Sequence, residues 1–189
     1  MYFEIMSLTL PPPGVEVLLL IVLLAAAVYD VRYRRIPNWV SVGGALLGIS
    51  LNTFLYRGVP GLLFSLKGLA LGFGVYFVLY ALHAMGAGDV KLMGAVGAVV
   101  GWQDWFGIFM ITAIVGGFMA LLLTVMRKRL KTTVWNLGYI VGEMKHGRAA
   151  YMTREELDVK SSKSVGLPHG AVIAVGTIFY LALSAHFVG

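Results

Sequence analysis

Two aspartates stand beside long apolar runs and could act together in acid–base chemistry. Asp30 ends the first apolar run, and Asp89 closes the stretch Gly86-Ala87-Gly88-Asp89. A carboxylate at membrane depth costs about 3 kcal/mol on insertion scales, so two of them at matching depth indicate a use. Peptide hydrolysis suits such a pair, because an ionised carboxylate takes a proton from water while a protonated one polarises the carbonyl group.

Two carboxyl groups placed close together divide these tasks between them. At about 3 Å they do not both ionise easily, and the apparent pKa values of known pairs differ by roughly three units. Such a pair titrates as a unit, so the shared proton belongs to neither Asp30 nor Asp89 alone. Gly86 and Gly88 let the backbone leave helical geometry and let a substrate strand approach closely. The sequence therefore predicts an aspartyl protease pair.

Each acid also has a plain structural interpretation. Asp30 could be a helix-end acid that is either solvated at the membrane interface or paired with Arg32, Arg34 or Arg35. Asp89 could be the N-cap of a helix, because aspartate is favoured there and accepts hydrogen bonds from unpaired amides. A capping role and a catalytic role are compatible at one position.

The composition places these acids in a membrane protein. Hydrophobic residues make up 59% and charged residues 13% of the 189 positions, whereas the apolar share of a soluble domain is nearer to about half. With roughly 20 apolar residues needed for each crossing, the chain has room for about six to eight spans. The absence of cysteine excludes disulfides, thiolate zinc sites and nucleophilic thiols.

Apolar runs separated by turn residues predict six transmembrane helices. Pro37 separates the first two runs, because the residue before a proline avoids helical geometry. The predicted spans cover residues 14–30, 39–56, 62–83, 89–101, 105–126 and 168–187. The predicted fold is an all-α, polytopic membrane helical bundle that forms a single domain over residues 1–189.

The basic residues are concentrated on one side of this topology. Thirteen of the 15 Lys and Arg residues fall in the first loop, at Lys91 or in residues 127–163. The positive-inside rule puts these segments in the cytoplasm, with both termini outside and both aspartates at the cytoplasmic face. We therefore expect a multi-pass protein of the cytoplasmic (inner) membrane. This topology accounts for the net charge of +6 without a nucleic-acid partner.

One long connection precedes the last predicted span. It forms a cytoplasmic loop at about residues 127–165. Apolar residues at helical spacing within residues 134–144 predict a helix that lies in the membrane interface. The polar, charged residues 145–164 are typical of a flexible loop.

Three motifs together resemble those of the type IV prepilin peptidases, intramembrane aspartyl proteases of the GxGD type. Residues 86–91, Gly-Ala-Gly-Asp-Val-Lys, resemble the GxGDxK signature, and residues 30–32 with 36–38 resemble the first aspartate motif. Residues 167–170 are similar to a Pro-x-Gly stretch before the final helix, with His169 where a bulky aromatic residue is expected. The resemblance implies that Asp30 and Asp89 are catalytic. It implies supporting or substrate-binding roles for Gly86, Gly88, Lys91, Arg32, Pro37, Asn38, Pro168 and Gly170.

The resemblance implies a reaction and a substrate. Family members remove the short basic leader of type IV prepilin-like precursors at the cytoplasmic membrane boundary. Longer members also carry a cytoplasmic domain with paired cysteines and methylate the new N-terminus. Because cysteine is absent, the chain resembles the short, peptidase-only forms of Tad/Flp pilus systems or the archaeal preflagellin peptidases. No methyltransferase activity is expected.

The expected partners are the precursor substrate and membrane lipid. No metal or other cofactor is expected, since the four histidines lack metal-ligand spacing. Glycines four residues apart let helices pack closely, either within a monomer or across a homodimer.

Two other interpretations are open from the sequence. The presenilin and signal peptide peptidase branch shares GxGD, but its members are much longer and carry a Pro-Ala-Leu motif that is absent here. From a different class, Asp30 and Asp89 could be relay groups of a small proton-coupled transporter or channel. A cleavable substrate would distinguish the protease from the transporter.

Overall fold

A computed structural model describes residues 11–128 and 168–188 of the chain, together with the isolated positions 133, 135, 139 and 142. Residues 11–128 and 168–188 form five helices. They are α1 (Pro13–Tyr33), α2 (Asn38–Leu55), α3 (Val59–Ala81), α4 (Ala87–Met126) and α5 (His169–Val188). The predicted all-α fold is confirmed.

Four of the five described helices have the length and apolar composition needed to cross a membrane: α1, α3, α4 and α5. Large apolar side chains project from the outer faces of these helices, as expected for a surface in contact with lipid. The chain is therefore a membrane helical bundle. Six spans remain a prediction. The predicted cytoplasmic loop 127–165 and interfacial helix 134–144 lie almost entirely outside the described residues.

Helix α4 reverses direction at Gly101. The backbone of Gly101 has a φ of 79° and a ψ of 179°, which leaves helical geometry in a region that favours glycine. The indole nitrogen of Trp105 donates a 3.1 Å hydrogen bond to the carbonyl oxygen of Met93, although the two residues are 12 positions apart. In a straight helix they would be about 18 Å apart. Helix α4 therefore has two arms, which we call the first arm (residues 87–100) and the second arm (residues 102–126).

The first arm lies at the centre of the bundle. Every residue from 92 to 101 is buried. Helix α3 packs against this arm at its glycines: a Cβ atom on Gly68 would overlap the carbonyl oxygen of Gly97, and one on Gly97 would overlap that of Gly68. A Cβ atom on Gly72, one turn further along α3, would likewise overlap the carbonyl oxygen of Met93. These small residues let two helix backbones approach closely, as is common in membrane bundles.

Candidate active site

Asp30 lies in the last helical turns of α1, where it is 8% exposed. Helix α1 continues beyond the predicted end at residue 30 and stops at Tyr33, where Arg34 adopts the left-handed conformation (φ 54°). The amide of Arg34 donates to the carbonyl oxygen of Asp30 and so closes the helix. The carboxylate itself accepts a 2.7 Å hydrogen bond from the backbone amide of Gly170. Asp30 is therefore a buried acid that joins the end of α1 to the start of α5.

Asp89 lies in the first turn of α4. The predicted fourth span begins at residue 89, but the helix begins at Ala87, two residues earlier, with Gly86 as its N-cap. The alternative of Asp89 as the N-cap is therefore wrong. The Asp89 carboxylate instead accepts a 3.1 Å hydrogen bond from the backbone amide of Gly86. This bond satisfies one of the amides that precede the helix, and it holds the half-buried side chain at the helix start.

Asp30 and Asp89 line the same cavity, whose volume is about 300 Å³. It has room for several water molecules, since each takes up roughly 30 Å³ in the liquid. Their side chains are close enough for Coulombic interaction. The remaining lining residues come from the end of α1, the following loop and the start of α4: Arg34, Arg35, Ile36, Gly86, Ala87 and Gly88. The fold thus brings the two predicted acids to one cavity that is large enough for water.

Gly88 and Gly170 contact the same side chain. A Cβ atom on Gly88 would lie 3.4 Å from Cβ of Ile36, and one on Gly170 would lie 3.0 Å from its Cδ1. Ile36 therefore packs between the GxGD stretch and the start of α5. Pro168 immediately precedes α5, and its carbonyl oxygen accepts a 3.2 Å hydrogen bond from the amide of Val172 in the first turn.

Lys91 and Asn38 form a direct contact at the edge of the site. The Lys91 ammonium donates a 2.9 Å hydrogen bond to the side-chain oxygen of Asn38. Pro37, with extended backbone angles (φ −64°, ψ 143°), is the N-cap of α2 and brings Asn38 to the helix start. This contact joins the start of α2 to the start of α4.

Arg32 does not line the cavity. Its guanidinium lies over the ring of Tyr33, 5.7 Å from the ring centre, and the residue is exposed. The motif resemblance implies a supporting role for Arg32, whereas Arg34 and Arg35 are the arginines that line the cavity. The left-handed turn at Arg34 redirects the chain after α1, and neither its position nor its direction follows from the motif.

His169 is half-buried at the start of α5, within electrostatic range of Asp30. Among the residues that the structure describes, no group of three or more His, Asp or Glu side chains is arranged to hold a metal ion.

Residues 17–121 match the sequence model of the type IV leader peptidase family. The matched segment contains both aspartates, the glycines before Asp89 and all of α2 and α3. The chain has no significant match among curated proteins or among solved structures.

Proposed function

Because the chain belongs to the type IV leader peptidase family, we propose that it is an aspartyl peptidase that cleaves the leader from type IV prepilin-like precursors. The observation that carries this proposal is the meeting of Asp30 and Asp89 at one cavity. The two acids come from different helices, and each accepts a hydrogen bond from a backbone amide. They are also close enough to interact electrostatically. These features suit acid–base hydrolysis of a peptide bond.

The proposed reaction uses the two carboxyl groups as one unit. The ionised group accepts a proton from water, and the water oxygen attacks the scissile carbonyl carbon, while the protonated group donates to the carbonyl oxygen. As the tetrahedral intermediate collapses and the C–N bond breaks, the leaving nitrogen takes the proton that the first carboxyl group had accepted from water, and the second carboxyl group recovers its proton from a hydroxyl group of the intermediate. In both Asp30 and Asp89 the Oδ2 atom accepts a hydrogen bond from a backbone amide, and this bond restricts the orientation of the carboxyl group. In this proposal Oδ1 of each carboxyl group exchanges protons with the water molecule and the substrate.

The proposed substrate lies across the membrane boundary. Its apolar helix occupies the membrane beside the enzyme, and its basic leader stays in the cytoplasm, so the scissile bond reaches the aspartates where water also arrives. This arrangement requires the cavity to open to the cytoplasm of an inner-membrane protein with both termini outside. The charge distribution supports that orientation, since Arg34 and Arg35 lie at the same end of the bundle as the cavity.

The proposed activity is limited to peptide cleavage. The paired cysteines that accompany methyl transfer in longer prepilin peptidases have no counterpart in this chain, which contains no cysteine.

The test is cleavage of a membrane-inserted, prepilin-like precursor by purified enzyme in lipid vesicles. D30N and D89N should each slow cleavage by at least about 100-fold, because each removes a group that exchanges the proton. D104N is the matched control. Asp104 is a half-buried acid that accepts a 2.8 Å hydrogen bond from the hydroxyl group of Tyr180, and it lies outside the cavity. Cleavage at the wild-type rate by either D30N or D89N would contradict the proposal. Proton uptake by the vesicles without any cleavage would favour a transporter.

A further inference from the structure

The C-terminal end of the first arm has backbone carbonyl groups that no amide of the same helix can reach. The last four carbonyls of any helix lack an amide donor from the next turn, and the reversal at Gly101 ends this arm inside the bundle. Ala98, Val99 and Val100 are all at most 2% exposed, so water does not satisfy their carbonyls directly. A buried helix end of this kind needs a donor from another element.

The side chain of Asn52 supplies that donor. Asn52 lies near the end of α2, is 1% exposed, and places its amide nitrogen 3.1 Å from the carbonyl oxygen of Ala98 and 2.9 Å from that of Val99. The same nitrogen lies 2.9 Å from the hydroxyl oxygen of Ser65 in α3. Asn52 thus joins α2, α3 and the first arm at a single buried point.

Helix α2 is in close contact with the first arm at this point. Gly48 lies one turn before Asn52, and a Cβ atom there would be 2.7 Å from a methyl carbon of Val99 and 3.0 Å from its Cα atom. At the other end of α2, Asn38 accepts the hydrogen bond from Lys91. Helix α2 therefore holds the first arm at both ends, and Lys91 is two residues from Asp89.

We propose that Asn52 is a positioning residue for Asp89. By capping the C-terminal end of the first arm, Asn52 fixes the position of the arm along its own axis. It thereby fixes the position of Asp89 relative to Asp30. The arm is a continuous helix of close-packed residues, so a displacement at residues 98–99 is transmitted along its axis to residue 89. This inference rests on the proposed function, in which Asp89 is one of the two reacting acids.

The first experiment compares N52L with T53V. Leucine has the same number and branching of side-chain heavy atoms as asparagine but no donor, so N52L removes the hydrogen bonds from residue 52 to the carbonyl oxygens of Ala98 and Val99. Thr53 is the matched control, because its hydroxyl bonds only the carbonyl oxygen of Ile49 within α2, at 2.6 Å. N52L should lower kcat of the folded enzyme by about 10- to 100-fold with little change in KM, as expected when a reacting group is displaced. A purely structural role would reduce the yield of folded enzyme and leave its kcat unchanged.

The second experiment locates residue 89 without using activity. Since the chain has no cysteine, D89C carries a single thiol whose rate of reaction with a water-soluble maleimide reports the position of that residue. The rate in D89C/N52L should differ from that in D89C, whereas the rate in D89C/T53V should equal it. If N52L does not accumulate in the membrane, N52Q keeps the amide but moves it by one methylene, and it is subjected to the same two measurements.

The outcomes separate this inference from the proposed function. Cleavage by D30N or D89N at the wild-type rate means that the proposed function is wrong. If those variants are inactive while N52L equals T53V in both kcat and labelling rate, the inference about Asn52 alone is overturned.

Discussion

The backbone amide of Gly170 donates a 2.7 Å hydrogen bond to the Asp30 carboxylate, across 140 positions of sequence. The start of α5 is therefore part of the candidate site, although it lies beyond the segment that matches the family. Only a residue without a side chain fits comfortably here: a Cβ atom on Gly170 would lie 3.1 Å from Oδ2 and 3.2 Å from Cβ of Asp30. Both contacts are tighter than ordinary van der Waals separation.

The first prediction concerns this contact. G170A should slow precursor cleavage by about 10- to 100-fold, because the added methyl group displaces the Asp30 carboxylate from its amide donor. G117A is the control, since a Cβ atom on Gly117 meets nothing within 4 Å. Cleavage rates are measured on material that elutes as a single folded species. Equal rates for the two variants would show that the Gly170–Asp30 contact does not position the carboxylate.

A second prediction follows from the packing of α3 on the first arm. G97A should lower the free energy of unfolding by about 3 kcal/mol or more, because the added methyl group would meet the backbone of Gly68, which cannot rotate away. G74A, on the open face of α3, should be neutral or stabilising by up to about 1 kcal/mol, since alanine favours helix more than glycine does. Denaturant titration in detergent micelles gives both values. A G97A variant as stable as G74A would contradict the observed packing.

The third prediction concerns Lys91 and Asn38. Their hydrogen bond is solvent-exposed, so K91M should cost only about 0.5–1 kcal/mol of stability. The N38A/K91M double variant should lose less than the sum of the two single losses, because either change alone already removes the bond. Lys67, an exposed lysine of α3, provides the control: the losses of N38A and K67M should add. Additive losses for the first pair would mean that the bond contributes nothing.

A fourth prediction concerns orientation in the membrane. Because thirteen of the 15 basic residues fall in segments assigned to one side, a reporter fused after Ser162 should stay in the cytoplasm and one fused at Gly189 should be exported. An enzyme reporter that is active only outside the cytoplasm distinguishes the two positions. The reverse result would place Asp30 and Asp89 at the outer face and remove the proposed route of the substrate.

The two candidate acids are easier to find in the sequence than the geometry that surrounds them. Asp30 and Asp89 stand out because ionisable groups beside membrane helices are costly, and their matching depth in the predicted topology indicated a pair. The break between the fourth and fifth predicted spans was also visible, and the structure puts it at Gly101. These features depend on local composition and on hydrophobic length, both of which can be read directly from a sequence.

Features that depend on packing between distant segments were missed. Arg34 and Arg35 line the cavity instead of Arg32, because α1 continues to Tyr33 before it turns. Asn52 lies outside all three sequence motifs. One signal was available for it: an asparagine within an otherwise apolar run needs a hydrogen-bond partner inside the bundle. The identity of that partner depends on which helices pack around the end of the first arm, and hydrophobic length does not specify that packing.

The enclosure of the first arm determines which half of the site is able to shift. Residues 92–101 are buried, so Asp89 lies at the start of a helix that is held by packing on every side. Asp30 stands on α1, a peripheral helix with one face turned outward at Val17, Ile21, Leu24 and Val28. If the gap between the acids must widen to admit a polypeptide, we expect α1 to swing outward and carry Asp30 with it, while Asp89 stays still.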